Sequence, residues 1–381
     1  MKPFYRPTWI TIKLDAIYEN VQKIQQLQPS KSLFAVIKAN AYGHGDMEVG
    51  KTVLEAGATG LAVSSLDEAI RLREGGIEAP ILVLGATLPS DSYVAAKYHI
   101  SLTVATTEWL EEVTAYLVNE PLNIHLKLNT GMNRLGIKTK EELHSILEQL
   151  KTNPKIKLEG IFTHFATADG EVEFVNKQVQ TFQSLINSLD LNEIRYVHVS
   201  NTAATLHHPF GFDNMVRVGL GLYGIQPTEE VLPFQLKPAL SLHSQLTQVR
   251  WLEPEESVGY GVTYQVKEGH WMGVIPIGYA DGWWRFNQGR CVMIDGIECE
   301  IIGRVCMDQL MVKLPYEMKV GTVVTLIGEG MSIERVANEL ETIPYEVLCS
   351  LSDRIPRIYT WKGKEVSCNP MRFKTKKESD R

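Results

Sequence analysis

No stretch of this sequence approaches the roughly 18 consecutive apolar residues of a membrane span, and the opening M-K-P-F-Y-R-P-T-W-I has no apolar signal core. A cytoplasmic chain without a membrane partner is therefore expected. Cysteine is scarce: Cys291, Cys299, Cys306, Cys349 and Cys368 are odd in number, confined to the last quarter, and lack C-x-x-C spacing. Free thiols in a reducing compartment fit that pattern better than disulfides or a zinc site, and no metal is expected. Positive charge is not in excess either. A net charge of −7 and a pI near 5.9 argue against nucleic acid as a partner. What is present is a chain of 381 residues, 44% apolar and 22% charged, long enough for two domains and able to bury a large core.

Thr8 to Leu14 alternates, with Ile10, Ile12 and Leu14 on one face, as a half-buried strand does. Asp15 then caps a helix carrying Ile17, Val21, Ile24 and Leu27 at helical spacing. From Leu33 the pattern turns to strand then helix. Apolar runs begin at Leu33, Gly60, Ile81, Ser101, Asn123, Leu158, Tyr196 and Met215, with helix-period segments between them. One such segment opens with Ser65 and Glu68 at capping-box spacing. Eight β–α alternations in about 200 residues predict a parallel (β/α)8 barrel of the TIM type, with a doubly wound sheet as the alternative. After Gln226 come Pro227, Pro233 and Pro238, then short β-rich runs such as Ala239 to Val249 and Glu298 to Val305. The expected division is a barrel over 8–230, a mostly β domain over 231–368 and a polar tail over 369–381. The strand 8–14 is expected to join the β domain, since a closed barrel offers it no edge. The tail K-T-K-K-E-S-D-R has the composition of a disordered segment.

In such a barrel the working residues lie at the C-terminal ends of the strands. The first strand delivers Lys38 and then Tyr42 in A-V-I-K-A-N-A-Y-G-H-G. A lysine at the end of a buried strand is partly desolvated, which favours the neutral amine that Schiff-base chemistry needs. A snorkelling or ion-paired lysine is the plain structural alternative. Past the fifth strand Arg134 sits in N-T-G-M-N-R-L-G, and the sixth ends with His164 and Asp169 in F-T-H-F-A-T-A-D. The seventh leads to Asn201 and Thr202, the eighth to Arg217, Gly219 and Leu220 in V-R-V-G-L-G. The backbone N–H groups after the last two strands match a phosphate site. Each feature alone is ordinary, a core histidine or a structural arginine. A Schiff-base lysine, a phosphate cradle and a partner for a ring nitrogen at one rim are together what pyridoxal 5'-phosphate requires.

The motifs A-V-I-K-A-N-A-Y-G-H-G, H-L-K-L-N-T-G-M-N-R-L-G, V-G-Y-G-V-T-Y, P-I-G-Y-A-D-G-W and G-R-V-C-M-D-Q resemble, in order and spacing, the bacterial alanine racemase family, over about Thr8 to Tyr359. The resemblance implies a homodimeric, pyridoxal phosphate-dependent amino-acid racemase with shared active sites. It implies that Lys38 holds the cofactor and acts as one base, and that Tyr260 is the opposite base, donated by the second subunit. Arg217 resembles the arginine facing the pyridine nitrogen, and His164 the histidine linking Tyr260 to it. Tyr42, Asn201, Thr202, Gly219 and Leu220 match cofactor-holding positions. Arg134 and the partner's Met307, with Asp308 beside it, match the contacts to the substrate carboxylate. Lys127 matches a lysine often carbamylated beside that arginine. Tyr279, Arg285 and Asp169 match the lining of the entrance corridor.

The chemistry explains these residue types. Racemisation removes a proton from one face of the α-carbon and delivers one to the other, so two bases must flank the cofactor. Lysine and tyrosine both titrate near ~10 when unperturbed, so neighbours must tune them. An arginine at the pyridine nitrogen does not protonate it, its own pKa being above ~12, which limits side reactions. The family's decarboxylase relatives use a carboxylate there. One departure is Asp353, where some members carry a tyrosine; a smaller, acidic residue implies a roomier or more polar pocket with activity on serine. Asn129, where an aspartate is common, alters the same loop as Arg134. The expectations are therefore an alanine racemase supplying D-alanine for peptidoglycan, a serine or broad-specificity racemase, or a non-catalytic cofactor-binding protein.

Overall fold

The computed structural model describes residues 4–117, 120–228 and 230–369, and the chain separates into two compact units. One comprises Ala16–Ala41 and Asp46–Pro238; the other comprises the chain up to Asp15, Tyr42–Gly45, and Ala239 onward. The polar tail from residue 370 lies outside the described residues.

Strands are numbered in chain order, β1 being Thr8–Lys13. The first unit contains β2 (Ser32–Val36), β3 (Gly60–Val63), β4 (Ile81–Ala86), β5 (Ser101–Val104), β6 (Leu122–Lys127), β7 (Ile156–Phe162), β8 (Tyr196–His198) and β9 (Met215–Val218). They form one parallel sheet in the order β8-β7-β6-β5-β4-β3-β2-β9. Its two ends meet: Asn214 N donates to Val197 O (3.0 Å) and Arg217 N to Ser200 O (3.0 Å). This is the expected (β/α)8 architecture, each strand followed by a helix or helical turn. The strands read as continuous apolar runs because both faces are covered. Phe34, Leu82, Tyr196 and Met215, from four strands, pack as one buried layer, with the rings of Phe34 and Tyr196 edge to face at 5.2 Å. Side chains alternate along a strand, so two and four residues beyond Phe34 the same face carries Val36 and then Lys38.

Two irregularities interrupt the barrel wall, one between Val83 and Ala86 of β4 against β5 and the other between β6 and β7. Between β6 and β7 the pairing slips: Ile124 faces Leu158 but His125 faces Gly160. Glu159 is the extra residue of a β-bulge, a feature that re-aims side chains. A Cβ on Gly160 would stand 2.3 Å from His125 Nδ1, so only glycine leaves room for that ring.

The second unit is built on a ten-stranded mixed sheet in which β1 pairs antiparallel with β10 (Leu240–Gln245) and parallel with the strand Arg357–Trp361. The run Ala239 to Val249, read from the sequence as one strand, is two. The backbone changes partner at Leu246, whose N–H goes to Thr322 O while that of Thr247 goes to Val274 O. β11 (Gln248–Leu252) accordingly lies at the far edge of the sheet from β10. Hydrophobic patterning reports burial, not a change of neighbour. All five cysteines are free, no described helix is long and apolar enough to cross a membrane, and no described group of three His, Cys, Asp or Glu side chains is placed to hold a metal ion.

Candidate active site

Lys38 follows β2, and the backbone then winds left-handed. Ala39, Asn40, Ala41 and Tyr42 have φ of 52°, 54°, 52° and 51°. Non-glycine residues adopt this conformation only at a cost of about 1–2 kcal/mol each, so the surroundings must impose it. Within the barrel unit, Ala39 N donates to Glu68 Oε1 (2.6 Å) and Ala41 N to Ile37 O (2.8 Å). Asp46 N donates to Asn40 Oδ1 (3.0 Å), and Arg71 pairs with Asp46. Glu68 also completes the capping box with Ser65 of helix Leu66–Glu74.

At the sheet closure, past the ends of β8 and β9, lies a concentration of backbone donors. Helix Thr202–His207 starts at Asn201, whose Oδ1 accepts from Ala204 N (3.0 Å), and the 3-10 turn Leu220–Tyr223 starts at Gly219. The first N–H groups of such helical starts have no intrahelical acceptor, the chemistry that suits an anion. Thr202 ties the two ends by accepting from Gly219 N at 2.9 Å. A side chain at Gly221 would press on Thr202 Cγ2 at 3.0 Å.

Arg217 is buried (3% exposed) and held by acceptors only. Nη1 donates to His198 Nδ1 (2.8 Å) and His198 O (3.1 Å); Nη2 donates to Thr163 O (2.9 Å), Val199 O (3.2 Å) and His164 Nδ1 (3.2 Å). Its Nε–H has no acceptor among the described residues. Burial lowers its pKa to about 10, against the pull of Asp213, so it remains a cation near neutrality. His164 is held well below the usual histidine range by burial and then by Arg217, Lys127, Arg134 and Lys38. Every charged group that acts on it is positive, so this part of the barrel is poised for an anionic guest. Lys127, 4.6 Å above the Phe162 ring, is likewise held well below the usual lysine range by burial, Arg217 and Arg134. Arg134 itself is exposed on a loop shaped by Asn129, whose Oδ1 accepts from Gly131 N (3.2 Å) and Asn133 N (3.0 Å). Asp169 is exposed on the loop after β7.

In the β unit Tyr42 is buried edge-on against Tyr345 at 5.5 Å, and burial pushes its phenol far above the usual range. Tyr260 lies between Gly259 (φ 75°) and Gly261 (φ 74°) and is 72% exposed. Met307 is also exposed, at 53%. Tyr279 N donates to Cys306 O and Ala280 N to Met307 O, both at 3.0 Å. Asp308 pairs with Arg354 (2.7 Å), which approaches the buried Asp281 already gripped by Arg6 at 2.8 Å. Tyr279 and Arg285 line a common cleft with Trp284 and Phe286. Asp353 is 84% exposed and lies 3.5 Å from Arg357.

The barrel unit thus brings Lys38, Lys127, Arg134, His164 and Arg217 into one electrostatic neighbourhood, with the Thr202–Gly219 cradle on the adjoining strand ends. Sequence reasoning passed over His198, the closest side-chain partner of Arg217. Its signal was a polar residue inside an apolar strand, Y-V-H-V-S.

Models of two domains match the chain: alanine racemase, N-terminal domain, over residues 12–227, and alanine racemase, C-terminal domain, over residues 239–359. The alanine racemase of Anoxybacillus flavithermus is 48% identical over 377 residues, 96% of this chain and 97% of that protein. The alanine racemase of Geobacillus stearothermophilus is 49% identical over 369 residues, 94% of this chain and 95% of that one. Among solved structures, alanine racemase from Bacillus anthracis with bound L-Ala-P has a TM-score of 0.92 at 43% identity, covering 97% of this chain and 98% of that one.

Proposed function

Because the chain belongs to the alanine racemase family, we infer that it is an isomerase interconverting L- and D-alanine with pyridoxal 5'-phosphate as cofactor. The residues present fit that group: two helical N-termini tied by Thr202 and Gly219 would take its phosphate, and the Nε–H of Arg217 would face its ring nitrogen. When bound, the cofactor supplies the electron sink that makes the Cα–H of alanine acidic.

The chain's own residues do the rest. Lys38 moves a proton on one face of the α-carbon, and Tyr260 of a second copy moves one on the other. Arg217 donates toward the ring nitrogen without protonating it, because a guanidinium gives up its proton far less readily than a carboxylic acid does. Arg134 and the backbone of the partner's Met307 hold the substrate carboxylate. The Lys127 amine, held well below the usual lysine range by burial, Arg217 and Arg134, is suited to carbamylation, and a carbamate there would orient Arg134. Tyr42 closes on the phosphate, His164 links Arg217 to Tyr260, and Tyr279, Arg285, Asp169 and Asp308 shape the approach. Two copies are needed because Tyr260 and Met307 are exposed within one chain. D-Alanine made in the cytoplasm would feed peptidoglycan precursors. Neither a serine or broad-specificity racemase nor a non-catalytic binder is favoured, since the near-full-length relatives at 48% and 49% identity are alanine racemases. The exposed position of Asp353 lends no weight to a reshaped pocket.

The observation that carries the reading is Arg217, a buried donor-only cation that would face the ring nitrogen. The test is incubation of the purified holoprotein with L-alanine, L-serine and a panel of other amino acids, with chiral chromatography. D-Alanine should form fastest, and borohydride should fix the cofactor to the peptide containing Lys38. A colourless protein that cannot be reconstituted, or labelling elsewhere, would overturn it.

A further inference from the structure

One of the residues that hold Arg217, His198, leads deeper into the barrel, and there the hydrogen bonds run in one direction. A guanidinium has no acceptor, so His198 Nδ1, 2.8 Å from Nη1, must be bare and the His198 hydrogen must sit on Nε2. That nitrogen is 2.8 Å from His125 Nδ1, which therefore accepts. The His125 hydrogen is then on Nε2, 3.3 Å from Glu159 Oε2. Both rings are fully buried, and burial and the nearby positive charge hold both below the usual histidine range. The order of donors is thus settled from Arg217 through two neutral imidazoles to a carboxylate.

The local fold is built around this chain. Glu159 is the bulged residue of β7, Gly160 clears the space that the His125 ring occupies, and Ser101 donates to Glu159 at 2.6 Å. Phe162 lies flat on His198 (4.6 Å, 7°) and Tyr196 stacks on His125 (5.8 Å, 22°), so neither ring is free to turn. We propose that Glu159, His125 and His198 are positioning residues that fix Arg217 as a donor toward the cofactor ring. Without an acceptor at 159, His125 can move its hydrogen to Nδ1. His198 must then place its own on Nδ1, donor against donor with the guanidinium, and Arg217 is pushed from its place.

The inference rests on the role given to Arg217 under the proposed function, so its test needs two independent readouts. In holoenzyme labelled with 15N-histidine, NMR should find His125 and His198 neutral with hydrogen on Nε2. Glu159→Gln keeps an acceptor oxygen and should retain both tautomers and a kcat within about twofold of wild type, since a like-shaped acceptor restores the bond. Glu159→Leu should switch a tautomer to Nδ1–H and lower kcat about 10- to 100-fold, the usual cost of losing an outer orienting partner. The KM for alanine should change little, because Arg134 and Met307 are untouched. A wild-type His198 protonated on Nδ1 overturns the proposal, as does a Glu159→Leu enzyme with unchanged kcat or a Glu159→Gln enzyme equally impaired. A protein without any racemase turnover would instead sink the proposed function, and the tautomers alone would then decide.

Discussion

Arg217 is a buried cation with no carboxylate in contact, an arrangement that costs free energy unless other groups supply the missing stabilisation. The nearest acid in its electrostatics, Asp213, is committed to Lys31 at 2.5 Å and Ser200 at 2.9 Å. Carbonyls and neutral imidazoles fill the gap, which requires His125 and His198 to stay uncharged. That requirement has a pH signature. In the unfolded chain both titrate near ~6.5, whereas in the fold both are depressed, chiefly by burial. Their contribution is present above pH ~6.5 and is lost as pH falls toward the folded values, at about 1.4 kcal/mol per pH unit for each ring. Holoenzyme melting between pH 7.5 and pH 5.5 should show a falling Tm, and His125→Asn should give a shallower slope whatever its absolute stability. A Tm flat across that window would contradict two neutral imidazoles. Residues at strand ends, such as His164 and Arg217, were legible because a barrel concentrates its chemistry there. His125 lies inside β6 and His198 is the last residue of β8, each within an apolar run, where a polar residue reads equally well as a satisfied core group.

The left-handed turn after Lys38 shows how one side chain serves two elements. Glu68 was readable as the third residue of a capping box, S-S-L-D-E, and the structure bears that out. Its second duty was not readable: Oε1 takes Ala39 N at 2.6 Å while Oε2 takes Ser64 N at 2.7 Å. Nothing in the residue types of Ala39, Asn40, Ala41 and Tyr42 announces four positive φ values, since only asparagine among them favours that region. The two duties separate by mutation. Ser65→Ala removes the cap alone and should cost about 1 kcal/mol of stability with catalysis nearly intact. Glu68→Ala removes the cap and the anchor of the turn, so it should lose a similar stability and in addition lower kcat and slow cofactor uptake. Equal kinetics for the two variants, at equal stability loss, would mean that Glu68 is only a cap. The same limit explains the split run Ala239 to Val249. Its apolar residues report a buried strand, whereas the change of partner at Leu246 is decided by distant Thr322 and Val274.

At the scale of the whole molecule the proposed chemistry divides between copies of the chain. The eight-strand alternation made the barrel legible, because each parallel strand needs its own covering helix. The proposed division between two copies rests on family motifs alone. Tyr260 sits on a glycine-flanked turn with Val262 beside it, both largely exposed, an unusual place for a large side chain with no task in its own chain. If Tyr260 serves the partner, two dead variants should make a live enzyme. Lys38→Ala lacks the residue that holds the cofactor, and Tyr260→Phe lacks the opposite base, so each homodimer should be nearly inactive. Mixed in equal amounts and allowed to exchange subunits, half of the dimers are hybrids, and each hybrid pairs an intact Lys38 with an intact Tyr260 at one of its two sites. About a quarter of wild-type activity should return, as random assortment in a two-fold dimer requires. The recovery should depend on total concentration, since exchange proceeds through dissociation. If Tyr260 acted within its own chain, neither partner could repair the other and mixing would restore nothing. A hybrid prepared with distinguishable tags should then place all of the regained turnover on the subunit that kept Lys38, which is where borohydride labelling must also fall.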